Sequence, residues 1–296
     1  MRTGGEKVDL PTYDDRYVEV GGKRIRYWMQ GEGPAVVLLH GLSNSVEFWQ
    51  YNIASLATRR RVYALDLLGF GKSDKEIGTF SLSYSGSFMA QFMDALGIER
   101  ATLVGNSLGG AISAQTAVQY PERVERLILV DPAGFGRELS PFLRVWAIPM
   151  AGSVVFRLYQ RLFPRLKKWV FYKSRSIDDR WLAGATEVLR SPGVRENAIK
   201  VVRTGVSLRR GQREELFGDL HGLLAETSVP TLIIWGRNDF VVPLAHAYVA
   251  QKLIPNSEVR IIERCGHIPQ VERPEEFNRL VLDFLSADRG REPSTE

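Results

Sequence analysis

Ser107 stands in Gly105-Asn106-Ser107-Leu108-Gly109-Gly110, between an apolar run, Ala101 to Val104, and a helical pattern from Leu108 to about Gln119. Strand, tight turn and helix in that order would hold the serine hydroxyl clear of the backbone on a strained corner. Gly105 and Gly109 lack a Cβ, so neighbouring backbone can pass close to such a turn. A serine hydroxyl is a poor nucleophile at neutral pH. An imidazole has to take its proton, and a carboxylate has to fix that imidazole's tautomer and stabilise its charged form. Further along the chain are residues that could do both. Asp239 follows the apolar run Pro230 to Trp235, in Gly236-Arg237-Asn238-Asp239, and His267 follows Val259 to Glu263, in Cys265-Gly266-His267-Ile268-Pro269. Asp131, after Arg126 to Val130, is a second candidate acid with a less complete motif around it.

Such residues need a frame that brings strand ends together. Tyr17 to Val20 and Ile25 to Met29 alternate on either side of Gly21-Gly22 and read as an edge hairpin. Pro34 to Leu39, Arg61 to Leu65, Ala101 to Val104, Arg126 to Val130, Pro230 to Trp235 and Val259 to Glu263 read as strands of a mostly parallel sheet. Helical patterns over Val46 to Leu56, Ser83 to Leu96 and Leu108 to Gln119 would cover both of its faces. The stretch 134–226 breaks this rhythm with helical patterns and no convincing strand. It is expected to be a helical cap inserted into a core of residues 1–133 and 227–296, lying over the strand ends where open α/β sheets bind ligands.

Composition narrows the classes. With one cysteine, Cys265, no intrachain disulfide can form, and a reducing compartment is the default. Met1 to Glu6 lacks a signal-peptide core, and no run reaches the roughly 18 apolar residues of a membrane span, so a cytoplasmic location is expected. A net charge of +5 permits contact with an acidic surface but does not argue for nucleic acid. The sequence has neither a metal-ligand cluster nor a nucleotide motif, so no cofactor is implied. The tail from Ala287 to Glu296 reads as disordered.

His40-Gly41, Asp66-Leu67-Leu68-Gly69-Phe70-Gly71-Lys72-Ser73-Asp74, the serine motif, Gly236-Arg237-Asn238-Asp239 and Gly266-His267-Ile268-Pro269 together resemble the α/β-hydrolase superfamily. The resemblance covers nearly the whole chain outside the cap. It implies a Ser107 nucleophile, a His267 base, an Asp239 acid and an oxyanion hole from the backbone N–H groups of Leu42 and Leu108. Epoxide hydrolases and haloalkane dehalogenases of this superfamily carry an aspartate at the elbow, and Ser107 argues against both. The form Gly-Asn-Ser-Leu-Gly-Gly resembles capped bacterial esterases and lipases, and also the hydrolases of ring-fission products. Asp66 and Asp74 are expected to organise the loop between them by accepting backbone N–H bonds.

The expected activity is hydrolysis of small to medium apolar carboxylic esters through an acyl-enzyme. Carbon–carbon hydrolysis of dienoic diketo acids is the alternative, although Ile268 stands where those enzymes tend to carry an aromatic residue. A receptor that keeps the triad but signals through cap movement is a third reading. Asn106, Trp146, Met150, Phe163, Val241 and Ile268 are the pocket candidates. From Val154 to Val170 apolar residues recur at helical spacing beside Arg157, Arg161, Arg165 and Lys168, a pattern broken by Pro164 into two expected helices. This basic stripe reads first as an ordinary solvated face, with a cap that associates weakly with an anionic membrane surface as the sharper alternative.

Overall fold

Eight strands form one sheet in the computed structural model, which describes residues 11–166, 170–172 and 177–287. β1 (Arg16–Val20) and β2 (Lys23–Gln30) make the antiparallel edge hairpin, turning at Gly21-Gly22 where both φ angles are positive. β3 (Ala35–Leu39), β4 (Arg61–Leu65), β5 (Ala101–Asn106) and β6 (Val124–Val130) follow. β2 runs antiparallel to β4, and from β4 onward all neighbours are parallel, in the order β1-β2-β4-β3-β5-β6, then two later strands. Parallel neighbours need crossovers, and helices supply them. These are α1 (Ile53–Leu56), α2 (Leu82–Ala95) and α3 (Leu108–Gln119).

The inner strands are apolar runs because both of their faces are covered. Val37, Leu39, Leu103 and Leu129 belong to the core on one side of the sheet, and Val36, Leu38, Val104 and Ile128 to the core on the other. Successive side chains point to opposite faces, so one continuous run supplies both.

Between β6 and the next strand of the sheet lies an insert. It holds α4 (Pro141–Trp146), α5 (Ala151–Leu166), α6 (Asp179–Arg190), α7 (Val194–Gly205), a short hairpin of β7 (Val206–Ser207) and β8 (Gly211–Gln212), and α8 (Glu214–Ala225). The sheet then ends with β9 (Thr231–Gly236), α9 (Ala245–Leu253) and β10 (Ser257–Ile262), and α10 (Pro269–Glu272) and α11 (Pro274–Ser286) close the chain.

Three expectations change. Val46 to Leu56 is not one helix: a 3-10 turn over Val46–Trp49 is followed by the separate α1. The Asp66 carboxylate takes the Val46 N–H at 2.8 Å, and Asn52 turns inward to bond the Gln270 carbonyl and the Asn278 side chain. Pro164 does not divide α5. The carbonyl that a proline nitrogen cannot serve, that of Gln160, accepts Arg190 Nε at 3.0 Å instead. The hairpin β7–β8 went unseen because two-residue strands carry no periodicity. Lys168 and residues 288–296 of the expected disordered tail lie outside the described residues.

Candidate active site

Ser107 links β5 to α3 with φ 54° and ψ −114°, in the positive-φ region that side chains with a Cβ seldom enter. The corner closes because its neighbours are glycines. A Cβ on Gly105 would lie 2.2 Å from the Gly109 carbonyl oxygen, and one on Gly109 would lie 2.3 Å from that of Leu39. Backbone bonds fix the turn from β6: Ser107 N–H donates to the Val130 carbonyl at 2.9 Å, and Ala133 N–H to the Ser107 carbonyl at 3.1 Å.

His267 lies in the loop after β10 and Asp239 in the loop after β9. Imidazole Nδ1 and carboxylate Oδ2 are 2.7 Å apart, and both side chains are buried. The other Asp239 oxygen accepts the N–H groups of Val241 at 2.7 Å and Val242 at 3.1 Å, which fixes the rotamer. Ser107 and His267 both line one cavity beneath the insert. Among the described residues neither the Leu42 nor the Leu108 N–H finds an acceptor, although both residues line that cavity. Unused backbone donors at a cavity wall can receive a developing oxyanion.

Asp131 completes a buried cluster. Its ligand atoms and those of Asp239 and His267 lie within 4.8 Å of one another. Burial, and then the Asp239 carboxylate beside it, hold the Asp131 carboxyl well above the usual carboxylate range. Gly236 N–H donates to its Oδ1 at 2.9 Å. This trio could in principle ligate a metal, but the short His267–Asp239 bond already uses both partners' facing atoms. The imidazole pairs with Asp239 and not with Asp131.

Of the pocket candidates, Trp146, Phe163, Val241 and Ile268 line the cavity. Two do not. Met150 lies 84 % exposed on the outside of the insert. Asn106 is fully buried behind the elbow, where its Nδ2 donates to the carbonyls of Val130 at 3.1 Å and His267 at 3.2 Å.

Sequence reasoning missed several supporting contacts. His40 is buried with Nδ1 at 2.7 Å from the Gly41 carbonyl, while Leu67 N–H donates to its Nε2 at 3.0 Å. One acceptor and one donor define the neutral tautomer with hydrogen on Nδ1. Burial pushes its pKa down to about 4, so the ring that anchors the Gly41-Leu42 turn stays uncharged near neutrality. Asp66 does organise its loop, accepting the Lys72 N–H at 2.6 Å, whereas Asp74 ties that loop to β2 through the Arg24 N–H at 2.8 Å. Arg26, buried beneath them, meets Asp15, Glu47 and Asp66 together. The insert also touches the His267 loop directly. His267 N–H donates to the Val170 carbonyl at 2.9 Å, and Glu272 accepts the N–H groups of Tyr172 and Gly266, both at 2.8 Å.

The model of the alpha/beta hydrolase fold family matches residues 34–274, and these span every element of the site. The chain belongs to that family. A 2-hydroxy-6-oxo-6-phenylhexa-2,4-dienoate hydrolase of Comamonas testosteroni is 34 % identical to this hydrolase over 273 residues, covering 88 % of this chain and 91 % of its own. Among solved structures, a meta-cleavage product hydrolase of Pseudomonas fluorescens IP01 superposes with a TM-score of 0.76 at 28 % identity, covering 92 % of this chain and 97 % of that one. A carboxylesterase of Bacillus subtilis reaches a TM-score of 0.71 at 25 % identity, covering 94 % and 93 %. The hydrolase thus has relatives that cleave carbon–carbon bonds and relatives that cleave esters.

Proposed function

We propose that this hydrolase cleaves uncharged, apolar carboxylic esters of small to medium size by way of an acyl-enzyme. Ser107 Oγ attacks the ester carbonyl as His267 Nε2 takes its proton, and Asp239 holds Nδ1–H toward itself. The N–H groups of Leu42 and Leu108 receive the oxyanion. Collapse expels the alcohol, which leaves with the proton from His267. Water then enters and attacks the acyl carbon as the same imidazole takes its proton, and the acid leaves as that proton passes to Ser107 Oγ.

One observation carries this reading over carbon–carbon hydrolysis. The cavity shared by Ser107 and His267 is walled by aliphatic and aromatic side chains, with Ser43, Asn44 and Gln212 as its polar additions and neither lysine nor arginine among the described lining residues. A dienoic diketo acid brings a carboxylate, and burying an unpaired charge is costly. An apolar ester brings none. The second reading rests on the 34 % identity to the Comamonas hydrolase.

A series of p-nitrophenyl esters of increasing chain length, run beside a ring-fission dienoate, tests both. Multiple turnover of the esters with little turnover of the dienoate is expected. Preferred turnover of the dienoate would reverse the assignment, and failure to turn over either more than once would favour a triad-retaining receptor.

A further inference from the structure

The helix that roofs the cavity has a second face. On its inner side Tyr159 and Phe163 line the cavity. On its outer side Val154 and Leu158 are 67 % and 55 % exposed, and Met150, just ahead of the helix, is 84 % exposed. Arg157, Arg161 and Arg165 are exposed as well. Residues three and four apart share a helix face, so the three apolar side chains and the three cations occupy one arc, apolar toward the N-terminal end and basic toward the C-terminal end.

Met150 is the more telling residue because its backbone works against it. It has φ 58°, a left-handed conformation that a long side chain rarely takes. The turn into α5 is tight: Ala151 N–H reaches the Pro149 carbonyl at 2.6 Å, Gly152 N–H that of Ile148 at 2.9 Å, and a Cβ on Gly152 would meet the Trp146 carbonyl at 2.2 Å. This closure holds an unbranched, flexible thioether out in solvent at the apex of the turn. A strained conformation kept at an exposed apolar tip is a feature of surfaces that bind something.

The charges indicate what that is. None of the three arginines enters an ion pair among the described residues. Glu196, the carboxylate close to Arg157, is already paired with Arg195. Arg203 adds a cation at the base of the turn, where its Nη2 reaches the Ile148 carbonyl at 3.4 Å. Unpaired cations beside protruding aliphatic side chains suit a surface that offers phosphates and, just beneath them, hydrocarbon. A nucleic acid offers the first without the second.

We infer that the outer face of α5 docks on an anionic lipid surface, with Met150, Val154 and Leu158 entering the acyl boundary and Arg157, Arg161 and Arg165 meeting the headgroup phosphates. Tyr159 and Phe163 then stand on the far side of the same helix, so an apolar substrate dissolved in the bilayer would be presented next to the cavity. The docking does not depend on which bond the enzyme cleaves.

The test is co-sedimentation of the full chain with vesicles of phosphatidylcholine alone or mixed with phosphatidylglycerol, at low and high salt. Binding to the acidic vesicles at low salt, reduced at least tenfold by high salt, is expected. Replacing Arg157, Arg161 and Arg165 together by glutamine, or Met150, Val154 and Leu158 together by serine, should each lower that binding at least tenfold without moving the thermal midpoint, since all six side chains are exposed. Insertion can be read separately. Cys265, the chain's only cysteine, is buried, so Met150→Cys offers one accessible thiol for an environment-sensitive dye, whose emission should shift to the blue on adding acidic vesicles. Equal recovery in the supernatant under all conditions would overturn the inference. So would arginine variants that bind like wild type, an unmoved dye spectrum, or equally tight binding to duplex DNA.

Discussion

The side-chain amide of Asn106 donates to the main-chain carbonyl of His267 at 3.2 Å, so the residue in front of the candidate nucleophile also anchors the loop of the candidate base. The same nitrogen holds the Val130 carbonyl at 3.1 Å. Asn106→Ala should therefore strand two buried acceptors, at about 1 to 3 kcal/mol of stability. Because Asn106 lines no part of the cavity, kcat should fall about tenfold while KM stays near its wild-type value. Steady-state kinetics beside thermal unfolding would check this, and a change confined to KM would contradict a positioning role.

Ser107→Ala should fold normally and lose ester hydrolysis by several orders of magnitude, because what remains is oxyanion and binding catalysis. Wild-type protein should take one equivalent of a fluorophosphonate, as mass spectrometry would show. Labelling that survived in Ser107→Ala would place the nucleophile elsewhere.

The two buried acids should separate sharply. Asp239→Asn presents an amide to His267 and favours the wrong tautomer, so kcat should drop by about 10³ to 10⁴. Burial and the Asp239 carboxylate push the Asp131 carboxyl toward its neutral form, and an asparagine there is both neutral and nearly isosteric. Asp131→Asn should keep kcat within about tenfold of wild type. The opposite ranking would move the acid to the end of β6.

His40 gives a stability prediction with a definite sign. Its folded pKa is depressed from 6.5 to about 4, so folding favours the neutral ring. Its contribution is complete above about 6.5 and is lost as the pH falls through about 4. At about 1.4 kcal/mol per unit, the loss is at most about 3 to 4 kcal/mol. Denaturant unfolding of wild type and His40→Gln should show a gap at pH 7 that narrows toward pH 4. A gap of constant size would mean that the ring is not held neutral.

Much of this was legible in the residues. Strands buried on both faces must be apolar throughout, so β3, β5, β6 and β9 announce themselves, and glycines at 105 and 109 mark the elbow. Pairings between distant segments leave no such trace. Nothing local in the sequence says that Asn106 faces backward to His267, that Arg190 relieves the carbonyl freed by Pro164, or that Asn52 turns inward to Gln270 and Asn278 between the 3-10 turn and α1. Met150 was misplaced for a related reason. Helical spacing shows that residues share a face but not which face meets the cavity, and here the tight turn at Gly152 sends that side chain outward.

The bond from His267 N–H to the Val170 carbonyl bears on engineering. Exchanging inserts between relatives is an obvious route to new substrate scope, with the two ends of the insert as natural splice points. In this chain the graft has a further point of attachment, made by a main-chain carbonyl and therefore invisible to any comparison of side chains. A donor insert would have to return its backbone to within reach of the histidine loop at that position. A chimaera that failed to do so could express and melt like its parent, yet hold its imidazole out of line with the serine.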